Sequence, residues 1–173
     1  HDHSALLAHS ILASARSSHG NGEMRIIAAT IQNDRGDSAS TFPVFSNATF
    51  RILLGARVPI AQPNVGIHLY DRLANLIFAS STRQLGITVP ALSAGEEREI
   101  AFRIGLPLQP GPYTFSLGCS EPAREGSADI GYLHDRHEGL GPFQVCVPDN
   151  LDATTTPFPF YGLVQLPMEV LQC

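Results

Sequence analysis

Lysine is absent from this chain, and all eleven basic side chains among its 173 residues are arginine. A P-loop needs a lysine to reach nucleotide phosphates. No GxxxxGK[ST] sequence exists here, so the chain by itself is not an ATPase. Tryptophan is absent too, which leaves Tyr70, Tyr132 and Tyr161 to supply any outward ring stacking. No apolar run reaches the roughly 18 to 20 residues of a membrane-spanning helix, because Arg, His, Gly or Pro interrupts each one. The formal charge is −5 and basic residues do not cluster. Nucleic acid is thereby excluded as a partner, since binding it requires Lys and Arg to neutralise phosphates. The three cysteines, Cys119, Cys146 and Cys173, form an odd set without CxxC spacing. They fit reduced thiols in a cytosolic setting. A Cys119–Cys146 disulfide between neighbouring strands is the competing reading.

The length suits one domain with a sizeable core. At the start, SALLAHSILASARS (Ser4 to Ser17) spaces Leu6, Leu7 and Ile11 for a short amphipathic helix or a linker. From Glu23 the period switches to that of strands: Glu23 to Gln32, Ala48 to Val58, Val65 to Asp71, Leu76 to Ser81, Arg98 to Leu106, Tyr113 to Cys119, Phe143 to Val147 and Phe160 to Val170. Turn residues punctuate them, as at Asn33 to Asp37, Pro63-Asn64 and Pro110-Gly111-Pro112. The pattern predicts an all-β fold, an antiparallel β-sandwich. Residues 1–22 are expected to be linker or short helix and 23–173 the sandwich.

In an immunoglobulin-like sandwich, the strands at Val65, Tyr113 and Phe143 share one sheet. Strict alternation then sends Ile67, Leu69, Phe115, Leu117 and Phe143 inward. His68, Tyr70, Thr114, Ser116, Gly118 and Gln144 share the outer face, a shallow polar trough between His and Tyr. Such a surface suits a sugar, whose hydroxyls need donors and acceptors; an ordinary solvated sheet face is the alternative. Arg83 follows the hairpin directly, and either lines the same end or covers apolar surface with its stem.

The most chemically loaded stretch is Tyr132-Leu133-His134-Asp135-Arg136-His137-Glu138. As a metal site, its HxxH needs a helix, and Gly131, Gly139 and Gly141 disfavour one. As an acid and base pair, Asp135 or Glu138 with a His moves protons, but no nucleophile motif accompanies them. As a polar loop at the sheet edge, it offers Arg136 and carboxylates to a glycan, or merely caps the sandwich through internal ion pairs.

Three stretches carry a family resemblance in order: the hairpin GIHLYDRLANLIFASST (Gly66 to Thr82), then LPLQPGPYTFSLGCS (Leu106 to Ser120), then HDRHEGLGPFQV (His134 to Val145). Over about residues 23 to 147 they resemble the carbohydrate-binding C-terminal domain of Wzt, the ATPase subunit of O-antigen exporters. The resemblance implies an immunoglobulin-like β-sandwich that binds O-antigen polysaccharide at its non-reducing end, without a cofactor. It implies a homodimer with exchanged terminal strands, and contact with a transporter permease through an ATPase domain upstream. The location it implies is the cytoplasmic face of the inner membrane. The glycan-binding candidates are His68, Tyr70, Arg83, Ser116, Tyr132, His134, Asp135, Arg136, His137, Glu138 and Gln144. A dimerisation domain with no glycan of its own is the alternative, and a metal-dependent enzyme using His134 and His137 the third.

The C-terminal run TPFPFYGLVQLPMEVLQC adds to the dimer expectation. Phe158, Phe160, Leu163, Val164, Leu166, Met168, Val170 and Leu171 would expose a large apolar patch if the run hung free. Its prolines at 157, 159 and 167 favour an edge or exchanged strand within about 150–173.

Overall fold

The computed structural model describes residues 3–123, 131–148 and 161–171. Among these residues, nine strands follow a short helix α1 (Ser4–Ala8) and a 3-10 turn (Leu12–Ser14): β1 (Ser17–His19), β2 (Met24–Gln32), β3 (Thr41–Pro43), β4 (Asn47–Ala56), β5 (Asn64–Tyr70), β6 (Leu76–Ser81), β7 (Glu97–Gly105), β8 (Gly111–Pro122) and β9 (Gly131–Cys146). One sheet runs β1-β9-β8-β5-β6, with β3 pairing parallel to β9; the other runs β2-β4-β7. Apart from that parallel pair, the ladders are antiparallel, and the two sheets enclose one core. The all-β sandwich expected from periodicity is present, and the strands at Val65, Tyr113 and Phe143 do share a sheet.

Alternation builds the core as anticipated. Val65, Ile67 and Leu69 of β5 and Phe115, Leu117 and Cys119 of β8 are buried, while their neighbours along each strand are less so. Phe143 sits at the aromatic centre, edge-on to Phe42 at 5.9 Å and stacked on Tyr113 at 5.8 Å.

Several elements differ from expectation. The helix expected over Ser4 to Ser17 is only five residues long. Beyond it the backbone turns to β2: Ile11 N–H donates to Ala29 C=O at 2.9 Å, and Ser10 Oγ accepts from Ala29 N–H at 3.2 Å. Hydrogen bonds to a neighbouring strand compete with helix propagation, and here they win. Leu6 nevertheless packs on Ala28 and Leu53 outside the β2-β4-β7 sheet.

The stretch from Tyr132 to Glu138 is no loop. It belongs to β9, a 16-residue strand that absorbs the loop and the short strand expected at Phe143. Gly139 and Gly141 adopt φ of 67° and 97°, where the β8–β9 register shifts, so these glycines mark bulges rather than chain breaks. Between Phe160 and Val170 no strand forms among the described residues. Val164 makes an isolated bridge to Leu108, flanked by hydrogen bonds from Gln109 N–H to Leu163 C=O and from Gln165 N–H to Pro107 C=O. Phe158 and Phe160 lie outside the described residues. Cys119 and Cys146 are free thiols. Cys119 pairs with Asp135, whereas Cys146 lies next to Val145, the partner of Gly111. Eight residues along β8 amount to about 26 Å, so no disulfide joins them.

Candidate functional site

The outer face of the large sheet carries a trough of 350 Å³. Its floor follows from strand register. Ser81, Gly66, Gly118 and Arg136 form one row across β6, β5, β8 and β9; Ala79, His68 and Ser116 form the next. Two glycines side by side leave the floor without side chains, and the flanking serines, His68 and Arg136 make the rim. Arg83, Gln84, Asn64 and Ser120 close one end, and Leu133 adds an apolar contact.

Arg136 and His68 fix one another. Arg136 Nη2 donates to His68 Nδ1 at 2.9 Å and to the Tyr70 hydroxyl at 3.4 Å. Nδ1 is thus an acceptor, which places the imidazole proton on Nε2. Arg136 Nε lies 3.0 Å from Glu138 Oε1, but its buried N–H is not aimed at a partner, so the contact is an ion pair without a hydrogen bond. Burial, reinforced by the Arg136 charge and opposed by Glu138, holds His68 below its ordinary titration range.

That shift has a consequence for stability. A histidine whose folded pKa lies below the unfolded value near 6.5 leaves the unfolded chain binding more protons in the window between them. Its contribution is fully present above that window and is lost as pH falls through it. In His68→Gln, the decline in melting temperature between about pH 7 and pH 5 is expected to be shallower than in the parent protein. Thermal denaturation at stepped pH checks this; parallel curves would contradict it.

Five of the eleven sequence candidates therefore meet as one group: His68, Arg83, Ser116 and Arg136 line the trough, and Tyr70 braces two of them. Glu138 neutralises Arg136 from the side. The others go elsewhere. His134 is 1% exposed and points inward, with Nε2 3.2 Å from Glu121 Oε2 and Nδ1 3.0 Å from Asn21 Oδ1. Glu121 Oε1 in turn accepts the N–H groups of Ala61 and Gln62, so this buried node ties four chain segments together. Asp135 and His137 pair with each other at 3.1 Å, and Asp135 also accepts the Ile26 N–H. Burial pushes the Asp135 carboxyl up, yet the His137 and Ile26 hydrogen bonds outweigh it and hold the group below the usual carboxylate range. The two histidines of the HxxH thus face separate partners. Among the described residues, no three His, Cys, Asp or Glu side chains converge as a metal site would require.

Tyr132 pairs with Glu121 and does not line the trough. Gln144 pairs with Pro112, four residues or about 13 Å along β8 from Ser116. Its amide turns to the Val145 C=O. Tyr161 stands exposed beside the Leu163–Gln109 contact, at the other end of the sheet. No tyrosine lines the trough, whose chemistry is hydroxyl, amide, imidazole and guanidinium. Hydrogen bonding, not ring stacking, is what this surface offers. Sequence reasoning missed Gly66, Asn64, Ser81 and Ser120, although carrying the β5 alternation back from His68 would have found the first two.

The family model described as the Wzt C-terminal domain matches residues 15–166. The chain belongs to the Wzt C-terminal domain family. The crystal structure of the C-terminal domain of Wzt shares its fold, with a TM-score of 0.74 and 18% identity over 92% of each chain. Weaker likenesses include a CARDB domain from Pyrococcus furiosus (TM-score 0.39, 14% identity, 69% of this chain and 94% of that one). A Niemann-Pick type C2 protein from Japanese carpenter ant gives a TM-score of 0.42 at 12% identity, over 76% and 97%. No curated protein sequence matches. Membership makes this Wzt-type domain part of an ABC transporter system. Among its described residues, no helix is long and apolar enough to cross a membrane.

Proposed function

We propose that this domain is a carbohydrate-binding module that recognises O-antigen polysaccharide and selects it for export by an ABC transporter. The observation that carries the reading is the trough: a side-chain-free floor at Gly66 and Gly118, ringed by His68, Ser116, Arg83 and Arg136. A pyranose edge needs such a slot, with donors and acceptors at fixed positions and no bulk between them. Arg136 and His68 arrive already oriented by their mutual hydrogen bond, which lowers the ordering cost of binding. In the transporter, the domain would serve at the cytoplasmic face of the inner membrane, coupled to the permease through an ATPase domain.

Saturation-transfer NMR with the O-polysaccharide of the encoding organism tests the reading. Arg136→Ala removes a charge-assisted donor worth about 1.5–3 kcal/mol, so affinity is expected to fall roughly 10- to 100-fold. No transfer to the parent protein would overturn the function.

The module is further proposed to act as a homodimer. A groove of 480 Å³ opens between β6 and β7, lined by Ile77, Phe78, Phe102, Ile104 and Leu108 and, from the C-terminal segment, Val164 and Leu166. Beyond Leu166, Met168, Val170 and Leu171 are exposed. A second copy whose terminal segment crosses between protomers would cover both surfaces. Two sites per dimer would then raise avidity on a repeating polymer. Sedimentation analysis is expected to show a dimer, and deletion of residues 166–173 a monomer; a dimer that survives deletion contradicts the exchange.

A further inference from the structure

Asn64 and Arg83 face two hollows at once. On one side lies the trough. On the other is a second hollow of 460 Å³ between the β4–β5 and β6–β7 connections, lined by Gln62, Pro63, Ile87, Thr88, Val89 and Pro122. Each volume falls in the range of small-molecule sites.

The walls of the second hollow are stitched in place. Ile60 and Leu92 exchange both backbone hydrogen bonds, at 2.8 and 2.9 Å. Glu121 Oε1 holds the N–H groups of Ala61 and Gln62 at 2.8 and 2.9 Å. The post between the hollows is equally fixed at its backbone, because Arg83 N–H donates to Asn64 Oδ1 at 3.1 Å and Arg83 C=O accepts from Gly86. Its side chain is exposed and lines both hollows, and among the described residues no side-chain hydrogen bond or ion pair holds it. The chemistry of the hollows differs. The trough is lined mostly by polar side chains, whereas the second hollow is mixed: Pro63, Ile87, Val89 and Pro122 give it an apolar wall opposite the polar Gln62, Asn64, Arg83 and Thr88.

We propose that the site takes at least two consecutive sugar residues, one in the trough and the next in the second hollow, with Arg83 donating between them. The residue in the second hollow carries an apolar substituent, a deoxy-sugar methyl or an acyl group. This inference rests on the trough being the glycan site. Rigid walls impose little ordering cost. A second residue tethered to the first adds its contacts without another loss of translational freedom.

Length dependence tests it. Fragments of one, two and four residues, released by partial acid hydrolysis of the O-polysaccharide of the encoding organism, are titrated into the full chain and followed by NMR. Affinity is expected to rise about tenfold or more from one residue to two and less than about threefold from two to four. Ile87→Asp, at an exposed position, is expected to cut the first gain to less than about threefold. Equal affinity for one and two residues, steady growth through four, or an undiminished gain in Ile87→Asp would overturn the two-hollow site while leaving the trough as a glycan site. Absence of binding by every fragment and by the intact polymer would instead remove the glycan reading itself.

Discussion

Valine in place of Gly118 is expected to lower affinity for the O-polysaccharide by more than about 100-fold, while the melting temperature moves by less than roughly 3 °C. Gly118 stands at the centre of the trough floor, between Gly66 and Arg136. Its backbone is not among the positive-φ positions. A Cβ built there meets only the Asp135 C=O at 3.7 Å and Arg136 Cγ at 3.9 Å, ordinary van der Waals distances. The backbone therefore has room for a Cβ, and a β-branched residue suits a strand better than glycine does. The space it fills is the space the sugar ring needs. Gly66 is a poorer choice, since a Cβ there already lies 3.2 Å from the Ser80 C=O. Calorimetric titration beside circular-dichroism melting separates the two effects. Affinity within about threefold of the parent would show that the sugar does not rest on this floor.

Phe143→Ala is expected to produce the opposite pattern, a large loss of stability with the trough intact. The ring is fully buried and touches four others: Phe42 at 5.9 Å, Tyr113 at 5.8 Å, and Phe50 and Phe115 each at 6.3 Å. Phe50 belongs to the β2-β4-β7 sheet and the rest to its partner, so the cavity would open between the sheets. Truncating a buried phenylalanine costs about 3–5 kcal/mol, which for a domain of this size lowers the melting temperature by roughly 10–15 °C. Because the trough lies on the opposite face of the same sheet, the folded variant should still bind at low temperature. A fall of less than roughly 4 °C would mean that the aromatic cluster does not hold the sheets together.

Periodicity made most of the fold legible. Alternation at Ile67, His68, Leu69 and Tyr70 assigned both faces of β5 correctly, because a one-residue error would have placed His68 in the core. What alternation could not reveal was β9. Its glycines read as breaks, and only the pairing with β8 shows that Gly139 and Gly141 let one long strand bulge. The same misreading put His134 in an exposed loop, whereas it is buried against Glu121 from β8 and Asn21 from the β1–β2 connection. Such partners lie 13 and 113 residues away, beyond any local pattern. Likewise, Arg136 emerged as part of the trough's rim only through register with Gly118, which no spacing within either strand encodes.

The most direct test is amide mapping. A titration of isotope-labelled domain with the O-polysaccharide of the encoding organism should shift the amide signals of Gly66, His68, Ser116, Gly118 and Arg136, and leave those of Asp135, His137 and the opposite β2-β4-β7 sheet in place. Shifts confined to the β1 edge or to the β2-β4-β7 face, or no shifts at all, would contradict the assignment of this trough as the glycan site.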